Sequence, residues 1–215
     1  KIMGIQYPLY LANILKLSLA IQTNNFKTLE DNVRELDQLT SQLQEDALYI
    51  RQMALSAIIK ANLMLENYNL AKQQLEEFKG NSIDDSSGTD ALYQINRYEW
   101  MYKTGQIDAA KDSLNQLLNH SINNKQNRIA QIVAYLLLDI DEKQGFKNTQ
   151  SILNQIKDIN PFPYPYLKQK AKLAAHRGDY FEASKLMQEM KNTSNQWWNT
   201  EDQLLIDGYL ELIKQ

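Results

Sequence analysis

The sequence predicts an all-α protein built from antiparallel helix pairs, and three observations support this fold class. Apolar residues recur at spacings of three and four along nearly every long stretch, whereas period-two alternation of β-branched residues is scarce. Glycine and proline number only seven and four among the 215 residues, which suits helices joined by short turns. Short turns of one kind also recur along the chain. We therefore expect helices and no strands.

Composition narrows the classes of function. A formal net charge of −3 gives no positive field for phosphate backbones or anionic lipid, so we expect no direct contact between this segment and nucleic acid. The longest apolar run, IVAYLLLDI at residues 132 to 140, is about half the length of a membrane span. The absence of cysteine excludes disulfides and thiolate sites, and it fits either a reducing compartment such as the cytoplasm or an oxidising one such as the bacterial periplasm, with a lean to the second. Since the chain opens on Lys1 without a signal-peptide pattern, we expect a segment of a longer protein.

Two breaks in the helical pattern are predicted. Three of the four prolines fall in NPFPYPY, residues 160 to 166, where they end one helix and begin another. The second break is GNSIDDSSGTD, residues 80 to 90, which we expect to be a loop ending in a helix N-cap near Thr89 or Ser87.

Five short stretches share one turn pattern, a small or polar pair followed by a large apolar residue and, three positions later, by a residue that packs the next helix. The stretches are TNNFKTL, LENYNLA, TGQIDAA, KQGFKNT and RGDYFEA; the large residues are Phe26, Tyr68, Ile107, Phe146 and Tyr180, and the packing residues are Leu29, Ala71, Ala110, Thr149 and Ala183. The pattern predicts that the large residue fills the gap between two helices while the packing residue allows close approach.

The stretch LAAHRGDYFEASKLM, residues 173 to 187, gathers His176, Arg177, Asp179 and Glu182 as a catalytic cluster would. The turn pattern instead predicts a helix-to-helix connection. In it Gly178 is a helix C-cap in the left-handed conformation and Asp179 begins the next helix.

This pattern resembles the tetratricopeptide repeat over roughly residues 7 to 195. The last unit matches best, and the third is similar at Gly105, Ile107, Ala110, Leu114 and Leu117. In the last unit the interlocking positions hold Leu167, Ala171, Ala174, Gly178, Tyr180 and Ala183, followed by Met187 and Met190. The turns recur at intervals of 42, 39, 39 and 34 residues, so only the last interval equals the family period of about 34.

The resemblance implies a right-handed α-solenoid of about five tetratricopeptide-like antiparallel helix pairs plus a C-terminal capping helix, in one domain spanning residues 1 to 215. The expected units are roughly 7–43, 44–80, 89–121, 123–159 and 163–195, with the capping helix at 200–215.

The inventory of reactive groups does not favour an enzyme. There are two histidines, His120 and His176, and neither a Gly-rich phosphate loop nor an HExxH motif is present. Asp139, Asp141 and Glu142 could be considered as a cation site, but Asp139 and Asp141 diverge on a helix, and we expect a solvated helix end instead. We predict no catalytic residue, metal or cofactor.

The resemblance implies that a partner binds the first helix of each pair, which lines the concave groove. By register this face holds Met53, Ser56, Lys60, Met64, Ile95, Glu99, Tyr102, Lys103, Ala134, Asp141, Lys168, Lys172 and His176. Lys168, Lys172 and His176 follow at four-residue steps, so they form a cationic stripe suited to a peptide with apolar and acidic residues. The alternative is an ordinary solvated face. Ala57, Glu99 and Gln131 do not match the family's clamp for a C-terminal carboxylate.

Two adjacent tryptophans, Trp197 and Trp198, precede the capping helix, for which the sequence predicts a capping box from Thr200 to Gln203. Either both rings seal the end of the solenoid, or one packs there while the other contacts a neighbouring domain or a second copy of the chain.

The leading hypothesis is a non-catalytic interaction module that binds a protein or peptide, as the sensing domain of a bacterial transcriptional regulator. The regulator context is implied by the resemblance, because tetratricopeptide-like regions follow winged-helix DNA-binding domains in bacterial regulators. The alternatives are an assembly scaffold of an envelope or secretion complex and an enzyme accessory domain. The candidate partner-binding residues are Lys60, Met64, Tyr102, Lys103, Lys168, Lys172, His176 and Trp198.

Overall fold

The computed structural model describes residues 3–22, 25–41, 48–80, 89–159 and 161–214. All regular secondary structure in these ranges is helical, and it comprises eleven α-helices with short 3₁₀ turns at Lys157–Ile159 and Asn195–Trp197. The helices are α1 (Met3–Gln22), α2 (Phe26–Ser41), α3 (Leu48–Met64), α4 (Tyr68–Gly80), α5 (Thr89–Lys103), α6 (Ile107–Asn123), α7 (Asn127–Lys143), α8 (Thr149–Ile156), α9 (Pro163–His176), α10 (Tyr180–Thr193) and α11 (Thr200–Ile213).

The chain divides into two compact units, Lys1–Ser113 and Leu114–Gln215, with the boundary inside α6. In the first unit α1 packs on α2 and α3, and α3 packs on α4 and α5. Leu17, Leu36 and Ile58 are buried together where α1, α2 and α3 meet. Phe78 is buried in a second cluster, against which Trp100 of α5 packs. Each fully buried leucine or phenylalanine contributes about 1.5–3 kcal/mol.

The second unit is also built from helices that pack on their neighbours along the chain. Helix α7 packs on α8, α9 packs on α8 and α10, and α10 packs on α11. Its core joins Leu167 and Ala171 of α9 to Met187 and Met190 of α10 and to Ile206 of α11. The prediction of an all-α chain whose helices pack in neighbouring pairs is confirmed, and the described residues are consistent with a helical-repeat fold.

One turn geometry connects four of the helix pairs. A residue in the left-handed region is followed by a single non-helical residue, and the next helix then begins. The backbone N–H of that second residue donates to the carbonyl five residues earlier, at 2.8 to 3.0 Å, which satisfies a carbonyl that the helix end leaves free. The left-handed residues are Glu66, Gly105, Lys125 and Gly178.

The predicted ending at Gly178 is therefore confirmed. Gly178 has a φ of +81°, and Asp179 is the N-cap of α10, since its carboxylate accepts a hydrogen bond from the backbone N–H of Glu182 at 3.0 Å. The cluster of charged residues around His176 is thus a turn between two helices.

The packing residues of the turn pattern are all fully buried: Leu29, Ala71, Ala110, Thr149 and Ala183. The large apolar residues of the turn pattern agree less well with their predicted role of filling the gap between two helices. Phe26 is 52% exposed, so the prediction that it fills a gap between helices is wrong. Phe146 itself has a φ of +59° after Gly145, which gives the α7–α8 connection a longer form than the other turns.

The two predicted breaks lie where helices end. Helix α9 begins at Pro163, where the missing amide donor is tolerated in the first turn, so the proline-rich break is confirmed. Of the second break, residues 81 to 88, including Ser87, lie outside the described residues, and α5 begins at Thr89.

Candidate functional site

The predicted first-helix positions fall into two groups by exposure. Nine are half-buried or exposed, whereas Ile95, Glu99, Ala134 and Asp141 are buried. Burial disagrees with the prediction that these four residues contact a partner, because a buried side chain presents almost no surface to one.

In the first unit a polar bridge joins α3 to α5. The Nζ atom of Lys60 lies 2.6 Å from Oε2 of Glu99, and the side-chain amide of Asn96 donates to the hydroxyl of Ser56 at 2.8 Å. Because Glu99 is buried, the charge of Lys60 balances it and is not available unopposed to a partner.

The other candidates of this unit flank that bridge. Met64 is half-buried and packs against the cluster formed by α1, α2 and α3. Tyr102 and Lys103 lie in the last turn of α5, and both side chains are half-buried. Together these three residues give the surface a flexible thioether, a phenol ring and a cation, which is a suitable mixture for a protein segment.

In the second unit Lys172 and Gln169 of α9 bridge to α7. The Nζ atom of Lys172 lies 2.9 Å from both carboxylate oxygens of Glu142. The amide of Gln169 donates to Asp139 at 3.3 Å and to Glu142 at 3.4 Å. The side chain of Lys172 is only 18% exposed, so the alternative of an ordinary solvated face is wrong at this position.

Lys168, one turn earlier on α9, bridges in the opposite direction, to α11. Its Nζ atom lies 2.8 Å from Oδ1 of Asp202 and 3.3 Å from Oε1 of Glu201, and its side chain is 15% exposed. Burial lowers the pKa of Lys168, but the two carboxylates outweigh it, so the net pKa is raised. The hydroxyl of Tyr164 donates to the same Asp202 at 2.6 Å, and burial followed by that carboxylate raises the pKa of Tyr164.

Asp202 also fixes the start of α11. The side chain of Asn199 accepts from the backbone N–H of Asp202 at 3.1 Å, while the Asp202 carboxylate accepts from the backbone N–H of Asn199 at 3.2 Å. The capping box therefore runs from Asn199 to Asp202, and the prediction of Thr200 to Gln203 was one residue too late. Asn199 is the N-cap because its backbone is extended, with a φ of −134°, and the helix begins at the next residue, Thr200, which the prediction had taken as the cap.

His176 does not extend the cationic stripe as an independent charge. Its exposed imidazole lies against the ring of Phe146, with the ring centroids 4.8 Å apart and the planes tilted by 33°. The three residues of the predicted stripe thus share a helix face, but each has a partner on a neighbouring segment.

Asp141 differs most from its predicted role. It is fully buried, and its carboxylate accepts three hydrogen bonds: from the backbone N–H of Asn148 at 2.8 Å, from the side-chain amide of Asn148 at 3.2 Å and from the hydroxyl of Thr149 at 2.7 Å. The expectation of a solvated acidic helix end is wrong for this residue, because the α7–α8 connection folds back over it. Asp139 does diverge from Asp141, as predicted.

The two tryptophans separate. Trp198 packs against the core of the second unit, its indole N–H donates to Gln203 at 3.3 Å, and Lys191 lies over its ring at 5.1 Å. Trp197 is 51% exposed, so the interpretation that both rings seal the end is wrong. The candidate Trp198 is therefore held inside the unit, and the more accessible ring belongs to Trp197.

The sequence reasoning named Glu99, Asp139 and Glu142, but it missed that these carboxylates are bridged by Lys60, Gln169 and Lys172 of neighbouring helices. A partial signal exists in the period. Glu99 follows Lys60 by 39 residues, which equals one of the turn intervals, whereas Glu142 precedes Lys172 by 30 residues, which equals none of them. Reading one repeat forward from Lys60 would have found Glu99, but the same reading from Lys172 would not have found Glu142.

The described residues bring no three histidine or carboxylate side chains together in a way that would hold a metal ion. Within the same residues, no helix has both the length and the apolar character needed to cross a membrane. The described surface of the first helices holds paired charges at Lys60 and Lys172 and half-buried groups at Met64 and Tyr102.

In comparisons with known proteins, no family model matches the chain, and neither a curated protein nor a solved structure matches it.

Proposed function

We propose that this chain is a non-catalytic interaction module of the tetratricopeptide-like kind, a right-handed solenoid whose first helices bind a segment of a partner protein. The observation that carries the proposal is the fourfold turn geometry together with the fully buried packing residue that follows the turns at Ala71, Ala110 and Ala183. Such turns place consecutive first helices side by side, as α1, α3 and α5 are in the first unit. A row of helices offers an extended surface to a partner.

Because Lys60 and Lys172 are each paired with a carboxylate, the partner that we expect differs from the apolar and acidic peptide that the sequence suggested. A mainly acidic peptide would have to displace Glu99 from Lys60 or Glu142 from Lys172, and both carboxylates already lie within 3 Å of their lysines. A segment that combines apolar side chains with charges of both signs fits better, because it can join these pairs without breaking them. We place this binding activity in the sensing or partner-binding domain of a bacterial regulator.

Peptide display tests the proposal. The whole chain is immobilised and used to select binders from a random peptide library, and the selected peptides are then titrated against two double variants. Tyr102→Ala with Lys103→Glu alters the first-helix surface of the first unit. Gln73→Ala with Lys79→Glu is the matched control on exposed positions of α4.

We expect the first-helix variant to lose at least about tenfold in affinity while the control keeps it. Selected peptides that bind both variants alike would place the contact elsewhere and contradict the proposal, provided that the helical circular dichroism of both variants is unchanged.

A further inference from the structure

Helix α1 has the composition of an interior helix, yet one of its faces is exposed. Lys16 is the only charged residue among its twenty. The neighbouring α3 is similarly apolar, and because it packs on α1, α2, α4 and α5, Tyr49 is its only exposed residue. A helix that is apolar on all sides is normally covered on all sides, so we expect a neighbour on the exposed face of α1.

This exposed face runs along α1 at steps of three and four residues. It is formed by Pro8, Ala12, Leu15 and Leu19, which we call the α1 face. Leu15 and Leu19 are 68% and 56% exposed, and Leu9 beside them is 48% exposed. The buried side of the same helix packs on α2 and α3, so neither of these helices covers the α1 face.

Helix α11 of the second unit also has an exposed face. Its inward side is fixed by Asp202 and Ile206, which are buried. The opposite side, which we call the α11 face, holds Glu201, Leu204, Asp207, Gly208 and Glu211. Leu204 is 68% exposed in the middle of this face. The α11 face thus combines an apolar side chain with carboxylates.

The two faces are complementary in charge. Lys16 borders the α1 face with a side chain that is 58% exposed, and its ion pair with Glu35 is long, at 3.8 Å. Helix α11 contains no lysine or arginine, and Asp207 accepts at 2.9 Å from the amide of Gln203, which is neutral and does not balance its charge. An α1 face therefore attracts an α11 face, whereas two copies of the same face would bring like charges together.

The two faces also fit in shape, because each has a small residue next to a large one. Gly208 lies within α11, where glycine costs about 1 kcal/mol relative to alanine. A Cβ atom at Gly208 would meet no atom of the described residues within 4 Å, so packing inside the unit does not explain this glycine. Close approach of a second helix does explain it. Ala12 offers the corresponding space on the α1 face.

We propose that the α11 face of one copy of this chain packs on the α1 face of a second copy. With the two helices in parallel register, Leu15 lies over Gly208, Leu204 lies over Ala12, and Lys16 lies near Asp207. Because the contact joins two different faces, each pair of copies keeps one further face of each kind, and the association continues to longer chains.

The size of the contact sets its strength. A contact along about three turns of two helices buries less than the roughly 1,200 Å² of a stable complex. We therefore expect a weak association, with a Kd of about 10 μM to 1 mM for each contact. This association goes beyond the proposed peptide binding, because Tyr102 and Lys103 lie outside both faces.

Sedimentation equilibrium of the whole chain between about 10 μM and 1 mM tests the contact. We expect the average mass to rise with concentration from the 25.0 kDa of one chain to more than twice that value. Leu15→Glu sets an acid against the acidic α11 face, and Leu204→Lys sets a cation against Lys16, so each variant alone should stay monomeric. Phe181→Glu, at a 70% exposed position of α10, is the matched control and should associate as the unaltered chain does.

A mixture of the two blocked variants gives the sharpest result. The Leu15→Glu chain keeps its α11 face and the Leu204→Lys chain keeps its α1 face, so an equimolar mixture should form 1:1 dimers and nothing larger. A monomeric mixture would overturn the contact, as would an unaltered chain that stays at 25.0 kDa at every concentration.

Two further results would also contradict the proposal. Dimers of the Leu204→Lys variant alone would show that α1 faces pair with each other, and they would overturn the contact between different faces. An equal loss of association in the Phe181→Glu control would place the contact elsewhere. Unchanged helical circular dichroism of all three variants is expected, because each substitution is at a largely exposed position. The peptide-display result does not depend on any of these outcomes.

Discussion

Replacing Asp141 by alanine should destabilise the second unit by about 3 kcal/mol. The carboxylate accepts three hydrogen bonds, and a bond to a charged acceptor contributes about 1.5–3 kcal/mol, although contributions within one cluster do not add. Water can replace the carboxylate at the exposed Asn148, but the hydroxyl of the fully buried Thr149 would remain without its acceptor.

Urea unfolding followed by tryptophan fluorescence measures this effect. In a Trp100→Phe background, the two remaining tryptophans, Trp197 and Trp198, both report on the second unit. Asp141→Asn keeps one oxygen acceptor and should cost about 1 kcal/mol, and Asp139→Ala, on a more exposed position of the same helix, about 0.5 kcal/mol. Equal losses for the alanine variants at 139 and 141 would refute the reasoning.

Further stability predictions concern single positions. Gly178→Ala should destabilise by about 1–2 kcal/mol in urea unfolding, because its φ of +81° disfavours a Cβ atom. Gly208→Ala should stabilise by about 1 kcal/mol, because the new Cβ meets no atom within 4 Å in the middle of α11; a loss would indicate a contact that the structure lacks. Ala183→Leu should cost about 2 kcal/mol in the same assay by overpacking a fully buried position, and an unchanged midpoint would show that α9 and α10 can separate. The raised pKa values of Tyr164 and Lys168 exceed the unfolded values of about 10, so their stabilisation is complete below that pH and falls as pH rises further. Tyr164→Phe should therefore lose less stability between pH 9 and pH 11 than the unaltered chain, and parallel pH curves would contradict this.

The parts of the fold that depend on neighbouring residues could be predicted from the sequence. The helical spacing, the break at Pro163 and the left-handed turn at Gly178 each follow from sterics and hydrogen bonding within a few residues. The packing residue is buried at all five turns, including the α7–α8 connection, whose form is longer than that of the others. The handedness and the repeat count remain predictions.

The side-chain partners could not be predicted in the same way. Whether Lys168 points to water or to Asp202 depends on how α11 lies against α9, and those residues are 34 positions apart. Asp141 was misplaced for a related reason: its three donors come from the next connection, whose path depends on the positive φ values of Gly145 and Phe146. Helix periodicity assigns a face to such a residue, but it does not say whether that face meets solvent or another segment.

Under the proposed function, the bridges between successive first helices would make the binding of a partner an exchange reaction. A carboxylate that approaches Lys172 competes with Glu142, which is tethered to the same fold and already 2.9 Å away, so a single charge gains little affinity. A partner that supplies a cation for Glu142 together with an anion for Lys172 replaces one pair by two, and its affinity then depends on the order of its charges. Discrimination between partners would rest on charge sequence, and net charge would matter far less.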